Sequence, residues 1–259
     1  MATRVKRPVS SPQLRTVIYL YGVTGKPARL SSLTGVDDHA SVEPMDCAGL
    51  TCWISRVPQL EYADNLAKNM ENLDWLSEAG VRHQRVVSAI AAASDTLPAR
   101  FGTVFMDASS LEADIRKRKK ILIQDLRRIH GCEEWGVKVF AVQPKINVPT
   151  GKPKTGKDYL QIKAALLRRS GSGDGVGVSG DEFEAFSEAL GRISVATEVG
   201  GRISGGQRGL QWQSSLLIKR AHKKKIEAIL KKYSIRWADS AKIECTGPWP
   251  PYSFVSRSS

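Results

Sequence analysis

Residues 151–157 hold two glycines and a lysine at the spacing of a phosphate-binding loop. Such a loop needs Ser or Thr as the next residue, to hold Mg²⁺, and an unbroken run of backbone amides for the phosphate. The next residue here is Asp158, whose carboxylate would repel phosphate, and Pro153 removes one amide donor. The stretch therefore predicts a flexible basic connection, with nucleotide binding as the less favoured alternative.

The stretch Ala99–Phe105 resembles the aromatic strand of an RNA-recognition motif, which stacks its rings on bases. A threonine stands where one stacking aromatic belongs, and the stretch falls on the first predicted strand of its half of the chain rather than the third. An RNA-binding module therefore stays the alternative function. Otherwise we expect Phe101 and Phe105 to be core residues.

Metal-binding residue types gather at His130, Cys132, Glu133 and Glu134. They straddle a predicted helix end, and no second cluster completes a tetrahedral set. The other three histidines are scattered singly, and no nucleophile elbow or His-Glu-x-x-His motif occurs. The sequence predicts no metal, no cofactor and no enzymatic activity.

The charge balance is strongly basic, with a formal net charge of +13. Two basic tracts, Arg116–Lys120 and Lys223–Lys225 with Lys231 and Lys232, fall on predicted helices opposite the apolar positions. Solvated helix faces explain them most simply, and a docking surface for an acidic partner is the sharper alternative.

Composition also limits the compartment. No apolar run approaches the ~20 residues of a membrane span, so no membrane association is expected. The four cysteines show no Cys-x-x-Cys spacing, which indicates reduced thiols and a cytoplasmic protein.

The segment Gly247–Phe254 combines three prolines with the aromatic residues Trp249, Tyr252 and Phe254. Proline excludes a helix or an interior strand there, whereas the aromatic rings favour burial. We expect a rigid, packed strap. If Trp249 fills the core, its truncation to alanine costs roughly 3–5 kcal/mol.

The first half of the chain predicts strands at Leu14–Val23, His39–Cys47 and Leu50–Val57, the last two joined by a tight turn at Ala48-Gly49. Two helices follow, separated at Gly80. These elements define an N-terminal α+β domain over residues 1–95, with residues 1–13 expected to be disordered.

The second half predicts a domain over residues 96–259. Its expected elements are a strand (Leu97–Met106), a helix capped by Asp107 or Ser109, two strands (Glu134–Val142 and Leu210–Ile218), a helix (Ala221–Tyr233) and a strand (Ile235–Cys245). This β-α-β-β-α-β order is typical of a ferredoxin-like fold. Residues 143–209 would then be an insertion with helices at Lys157–Arg169 and Asp181–Thr197 around a Gly/Ser-rich linker.

Six motifs, in order and rough spacing, resemble the gas vesicle protein F/L family (GvpF/GvpL) over about Leu14–Val255. They are Tyr19-Leu-Tyr21-Gly22, Asp74-Trp75-Leu76, Leu97–Thr103, Glu134–Lys138, Tyr159-Leu160 with Lys163, and Gly247–Phe254. The closing segment and Arg100-Phe101-Gly102-Thr103 are together the specific part. The sequence departs from the family at Gln84, where Glu is frequent, and in its long Gly/Ser linker.

The resemblance implies a two-domain α+β protein with ferredoxin-like elements, so that the N-terminal domain would be a small modified version of that fold. It implies a non-enzymatic assembly factor or minor shell component of gas vesicles. The expected partners are the small apolar shell protein and other accessory proteins, rather than nucleic acid. The motif residues, structural or partner-contacting, are Arg100, Phe101, Gly102, Thr103, Glu134, Trp135, Gly136, Tyr159, Gly247, Pro248, Trp249, Pro250, Pro251, Tyr252 and Phe254.

Overall fold

The computed structural model describes residues 15–142, 178–200 and 209–256. The chain folds into two compact units: unit 1 is Met1–His130 with Val255–Ser259, and unit 2 is Gly131–Phe254. Each combines one antiparallel sheet with helices, as expected for an α+β protein. The division lies at residues 130/131 instead of the expected 95/96, because the elements just after residue 95 join the first sheet.

The sheet of unit 1 is built on β1 (Thr16–Thr24), with β2 (Glu43–Cys47), β3 (Leu50–Pro58), β4 (Thr96–Pro98) and β5 (Val104–Phe105). The strand order is β2-β3-β1-β4, and β5 also pairs with β1. Every pairing is antiparallel. The predicted turn between β2 and β3 is confirmed, since Ala48 (φ 55°) and Gly49 (φ 82°) form a two-residue hairpin loop.

The predicted strand Leu97–Met106 is wrong as a single element. It is two short strands, β4 and β5, both hydrogen-bonded to β1 and separated by a turn over residues 99–103. The bulky residues Phe101, Val104 and Phe105 indicate a strand, but they do not reveal a turn that is hydrogen-bonded to a strand about eighty residues earlier. The strand therefore could not start the second sheet.

The helices of unit 1 are a π-helical turn (Leu60–Asp64), α1 (Leu66–Glu71), α2 (Leu73–Ala93) and α3 (Ala108–Arg128). The predicted break at Gly80 is wrong, because α2 runs through it; a single interior glycine costs only about 1 kcal/mol. The break lies at Asn72, whose side chain accepts bonds from the amides of Asp74 and Trp75. Asp107 caps α3 as expected, through a 2.7 Å bond from the Ser110 amide.

Unit 2 contains β6 (Cys132–Ala141), α4 (Gly180–Ile193), β7 (Ser194–Val199), β8 (Leu210–Lys219), a 3-10 turn (Arg220–His222), α5 (Lys223–Arg236), β9 (Ala241–Trp249) and a 3-10 turn (Tyr252–Phe254). The strand order is β7-β8-β6-β9, antiparallel throughout. The predicted β-α-β-β-α-β order occurs here, but with different members. The expected insertion supplies α4 and β7, whereas α3 packs on the first sheet.

Three boundaries in unit 2 also differ from expectation. The helix predicted to reach Thr197 ends at Ile193, and β7 follows at once, because Val195, Thr197 and Val199 favour strand. The last helix continues to Arg236, and the last strand spans Ala241–Trp249 instead of Ile235–Cys245. The predicted helix Lys157–Arg169 and most of the Gly/Ser linker lie outside the described residues.

The core of unit 2 lies between its sheet and its helices. Phe186 of α4 contacts Tyr233 of α5 and Trp237 just beyond it, with ring centroids 4.9 and 5.0 Å apart. The strand side of the core is Trp135, Val137, Val139, Leu216 and Ile218. This aromatic packing fixes both helices on one face of the sheet.

Candidate functional site

The turn Arg100-Phe101-Gly102-Thr103 joins β4 to β5 and is held to β1 at both ends. The amide of Leu20 donates to the Thr103 carbonyl at 2.9 Å, and the amide of Ala99 donates to the Tyr21 carbonyl at 2.9 Å. Within the turn, the Thr103 hydroxyl donates to the Arg100 carbonyl at 2.7 Å. This motif is therefore part of the first sheet's framework.

Two hydrogen bonds through the Tyr19 hydroxyl connect this turn to α2. The Gly102 amide donates to the Tyr19 hydroxyl at 3.0 Å, and that oxygen lies 3.0 Å from His83 Nδ1. Burial lowers the pKa of His83 to about 4, against a hydrogen bond with the Ala99 backbone that favours the charged form. The imidazole is consequently neutral near pH 7, and the direction of its hydrogen bond with Tyr19 follows its tautomer.

Aromatic rings from three of the motifs meet around Phe101. Its ring centroid lies 6.4 Å from Tyr19, 6.0 Å from Trp75 and 5.7 Å from His83. The Trp75 indole donates to Glu61 at 2.8 Å. We call Tyr19, Trp75, His83 and Phe101 the aromatic cluster of unit 1.

The RNA-recognition alternative expected Phe101 and Phe105 on one open strand. The structure does not support that arrangement. Phe101 lies in a turn and packs in the aromatic cluster, whereas Phe105 is on β5 opposite Ile18. The two rings thus form no stacking platform.

The loop around Val36 is a contact point that sequence reasoning missed. The Val36 amide donates to the Tyr21 hydroxyl at 2.8 Å, and its carbonyl accepts from Tyr62 at 3.1 Å and from Arg82 at 2.6 Å. A second bond joins the Tyr21 hydroxyl to Ser55 at 2.7 Å. The available signal in the sequence was the tyrosines themselves, because a tyrosine that becomes buried needs a hydrogen-bond partner for its hydroxyl.

In unit 2 the two motifs Glu134-Trp135-Gly136 and Gly247–Phe254 are brought together. Glu134 lies opposite Trp249 in the β6–β9 pairing. The buried Glu134 carboxylate accepts from the Ser253 amide at 2.9 Å and from its hydroxyl at 2.6 Å. We call this pair of bonds the Glu134–Ser253 clamp.

The expected burial of the strap is confirmed for Phe254 and wrong for Trp249. Pro250, Pro251 and Phe254 are buried, whereas Trp249 is 44% exposed and Pro248 is exposed. Trp249 therefore does not fill the core. The condition under which its truncation to alanine would cost roughly 3–5 kcal/mol of stability is not met. Burial also raises the pKa of Tyr252, with a further contribution from the Glu134 charge.

Two glycines allow β6 and β9 to approach at this place. A Cβ on Gly136 would lie 2.9 Å from Thr246 Oγ1, and a Cβ on Gly247 would lie 2.8 Å from the Glu134 carbonyl. Gly247 also has φ +126°, a conformation that side-chain-bearing residues rarely adopt. Backbone geometry thus requires glycine at position 247, whereas a side chain at position 136 would have to displace the Thr246 side chain.

A second clamp of the same design occurs in unit 1. The buried Asp125 carboxylate of α3 accepts from the Ser256 amide at 2.8 Å and from its hydroxyl at 3.1 Å. Arg128 adds a 2.8 Å bond to the same carboxylate. Sequence reasoning missed Asp125, Ser253 and Ser256. An acidic residue within the core-facing stripe of α3 was the available signal.

Other candidate sites are dispersed or lie outside the described residues. Within residues 15–142, 178–200 and 209–256, no group of three or more His, Cys, Asp or Glu side chains could hold a metal ion. His130 bonds to Asp95 at 2.6 Å, and all four cysteines are free thiols. The phosphate-loop-like stretch and Tyr159 lie outside the described ranges. Over the same ranges, no helix has the length and apolar character to cross a membrane.

Buried His83 predicts a pH-dependent stability. Its pKa is lowered from 6.5 to about 4 on folding, so the unfolded chain binds the proton more tightly. Stability is therefore full above pH 6.5 and falls as pH drops toward 4, by roughly 3 kcal/mol for a shift of this size. Urea unfolding at pH 7.5, 6 and 5 measures this slope. His83→Gln should flatten it, and exposed His39→Gln should not; equal slopes in all three proteins would contradict the assignment.

The chain is similar to known proteins over most of its length. A family model described as gas vesicle synthesis protein GvpL/GvpF matches residues 17–256. Gas vesicle protein L of Streptomyces sp. (strain CB03234) is 30% identical over 204 residues, covering 73% of each chain. The match therefore extends through both units.

Two crystal structures share the fold. GvpF from Anabaena sp. PCC7120 superposes with a TM-score of 0.67 at 18% identity, covering 94% of this chain and 98% of that one. GvpF from Microcystis aeruginosa gives 0.66 at 19% identity, covering 93% and 99%. At these identities the two structures bear on the fold alone.

Proposed function

Because the chain belongs to the GvpL/GvpF family of gas vesicle synthesis proteins, we propose that it is a gas vesicle accessory protein that acts by contact rather than catalysis. The match over residues 17–256 carries this proposal, since it includes both units and both clamps. We propose that it acts in the cytoplasm. Its role there is that of an assembly factor or of a minor component of the gas vesicle shell.

The arrangement of the motifs supports a role in contact. The polar groups of the aromatic cluster are hydrogen-bonded within unit 1, and those of the Glu134–Ser253 clamp are hydrogen-bonded within unit 2. The bond lengths are 2.6–3.0 Å. Groups engaged in this way fix backbone and side chains in place. The motif residues of the two units therefore serve as a rigid framework that presents a surface.

We propose the small apolar shell protein as the principal partner, together with other accessory proteins. An apolar subunit exposes surface that aggregates before assembly unless another protein covers it. Unit 1 offers apolar side chains to solvent where the π-helical turn, α1 and α2 follow one another: Leu60 is 65% exposed, Leu73 is 78% exposed and Met70 is 42% exposed. These residues are our candidate contacts for the shell protein.

We also propose that both units are ferredoxin-like. Unit 2 supports this with its β-α-β-β-α-β order and the strand order β7-β8-β6-β9. Unit 1 has the equivalent strand order β2-β3-β1-β4, with residues 25–42 in the place of the first helix. The N-terminal unit is then a modified version of the same fold.

Gene deletion with complementation tests the proposed function. We expect a strain lacking this gene to form few or no gas vesicles, and the wild-type gene to restore them. Co-expression with the shell protein should yield a complex in pull-downs, weakened by Leu60→Ser/Leu73→Ser. Normal vesicles in the deletion strain, together with no recovered complex, would refute the proposal.

A further inference from the structure

The solvent face of α5 in unit 2 is basic along most of its length. Ile226 and Tyr233 are buried against the core. Directly opposite them on the helix lie Lys224, Ala228, Lys231 and Ile235, at steps of four, three and four residues, and all four are exposed. We call these four residues the α5 stripe. Lys225 and Lys232 flank it.

Neither lysine of the stripe forms an ion pair within the described residues, and Glu227, one turn from each along the same helix, is the one acidic residue of α5. Among residues 15–142, 178–200 and 209–256, the ion pairs include one from this helix, Arg236 with Glu182, and none from Lys224 or Lys231. The first turn of α5 also contains no acidic residue. A cation near a helix N-terminus opposes the helix dipole, so Lys224, in the first turn of α5, does not stabilise its own helix.

An aliphatic side chain ends the stripe. Ile235 is 70% exposed, and the small Ala228 between the lysines allows close approach of another backbone. A surface of this kind is complementary to a helix that carries carboxylates in register with an apolar residue. Opposite charge also steers such a partner toward a protein of net charge +13.

We propose that the α5 stripe docks an acidic amphipathic helix of a partner protein, with carboxylates against Lys224 and Lys231 and an aliphatic side chain against Ile235. The inference rests on the proposed function, because it identifies the chemistry of one of the protein partners. It assigns that contact to unit 2, whereas the candidate contacts for the shell protein belong to unit 1.

Two other classes of anionic partner fit this face less well. Sites for single-stranded nucleic acid combine a positively charged groove with exposed aromatic side chains, but the aromatic residues of this region, Tyr233 and Trp237, are buried. A helix lying in a membrane interface turns its large apolar residues outward. Here Ile226 and Tyr233 point inward, and Ile235 alone of the stripe is a large apolar residue.

Binding of a synthetic probe tests the proposal with the full-length protein. The probe is a fluorescently labelled helical peptide of about 18 residues, long enough to fold, with Glu and Leu on one face. Lys224→Glu/Lys231→Glu should weaken its binding by about tenfold or more, because two attractions become repulsions. Ile235→Ser should also weaken binding while leaving its salt dependence unchanged. Fluorescence anisotropy at two salt concentrations measures both effects.

Lys117→Glu/Lys120→Glu on α3 is the matched control, since it makes the same change in net charge on unit 1. It should change the affinity by no more than about twofold, as expected for exposed charges that take no part in the contact. Equal losses in the two double variants would overturn the proposal. So would α5-dependent binding of single-stranded RNA or anionic vesicles that is tighter than binding of the peptide.

Complementation separates this inference from the proposed function. If the wild-type gene restores vesicles to a deletion strain and the α5 double variant restores them equally well, the docking surface is wrong and the proposed function stands. If the wild-type gene restores nothing, the proposed function fails whatever the peptide does. We expect restoration by wild type and by the α3 variant, and markedly fewer vesicles with the α5 variant.

Discussion

Trp237→Ala is expected to destabilise unit 2 by roughly 3–5 kcal/mol, as truncations of buried tryptophan do. The Trp237 side chain is 1% exposed, and its ring stacks on Phe183 at 6.1 Å and meets Phe186 and Tyr233 at 5.0 Å. Its removal leaves a cavity where both helices and the sheet meet. Urea unfolding followed by far-UV circular dichroism measures the loss.

Trp249→Ala provides the matched comparison for this prediction. The side chain removed is the same, but Trp249 is 44% exposed at the end of β9. We expect a cost below about 1 kcal/mol, in the range of surface substitutions. A larger effect at Trp249 than at Trp237 would mean that the strap, and not the helix layer, holds the core of unit 2.

Glu134→Ala should loosen the strap and cost about 2–4 kcal/mol. The substitution leaves the Ser253 amide and hydroxyl without their charged acceptor, and bonds of this kind are worth more than neutral ones. Hydrogen–deuterium exchange over residues 247–256 should rise well above that of wild type. Thermal unfolding gives the accompanying loss of stability.

Glu244→Ala is the control, because it removes a carboxylate from the same sheet. Glu244 lies on β9 and is 2.7 Å from exposed Lys242, a pair worth at most about 1 kcal/mol. Its exchange over residues 247–256 should match wild type. If the two variants exchange alike, the Glu134–Ser253 clamp does not fix the strap.

Local patterns predicted the individual elements of this chain well. A tight turn at Ala48-Gly49 between two strands predicts the β2–β3 hairpin, although β2 begins at Glu43 rather than His39, and Asp107 predicts the cap of α3. Both depend on neighbours within a few residues. The pairing between strands was harder to predict, because β4 and β5 pair with a strand about eighty residues earlier in the sequence.

The expected domain boundary at residues 95/96 differs from the observed boundary at residues 130/131 for a related reason. Elements in the order β-α-β-β-α-β could be assembled from residues 97–245 in two ways, and composition does not choose between them. The choice depends on β7, whose Val195, Thr197 and Val199 follow α4 without a turn residue. A helical period that ends at Ile193 was the missed signal.

The candidate site was predictable as motifs and not as geometry. The sequence marked Glu134-Trp135-Gly136 and the closing strap separately, and the structure joins them by the β6–β9 pairing. Their connection runs through Ser253, a residue type too common to be noticed. The size of the Trp249 side chain favours burial, but its position at the end of β9 leaves that side chain 44% exposed.

The second clamp has a consequence for the order in which the protein is made. Asp125 accepts its bonds from Ser256, 131 residues further along, after all of unit 2 has been synthesised. Until the ribosome has passed that serine, a nascent unit 1 keeps a carboxylate in its interior without two of its donors. We therefore expect unit 1 to reach its full stability only after the second half of the chain has been translated, and a chain that ends before Ser256 to be less stable than the full-length protein.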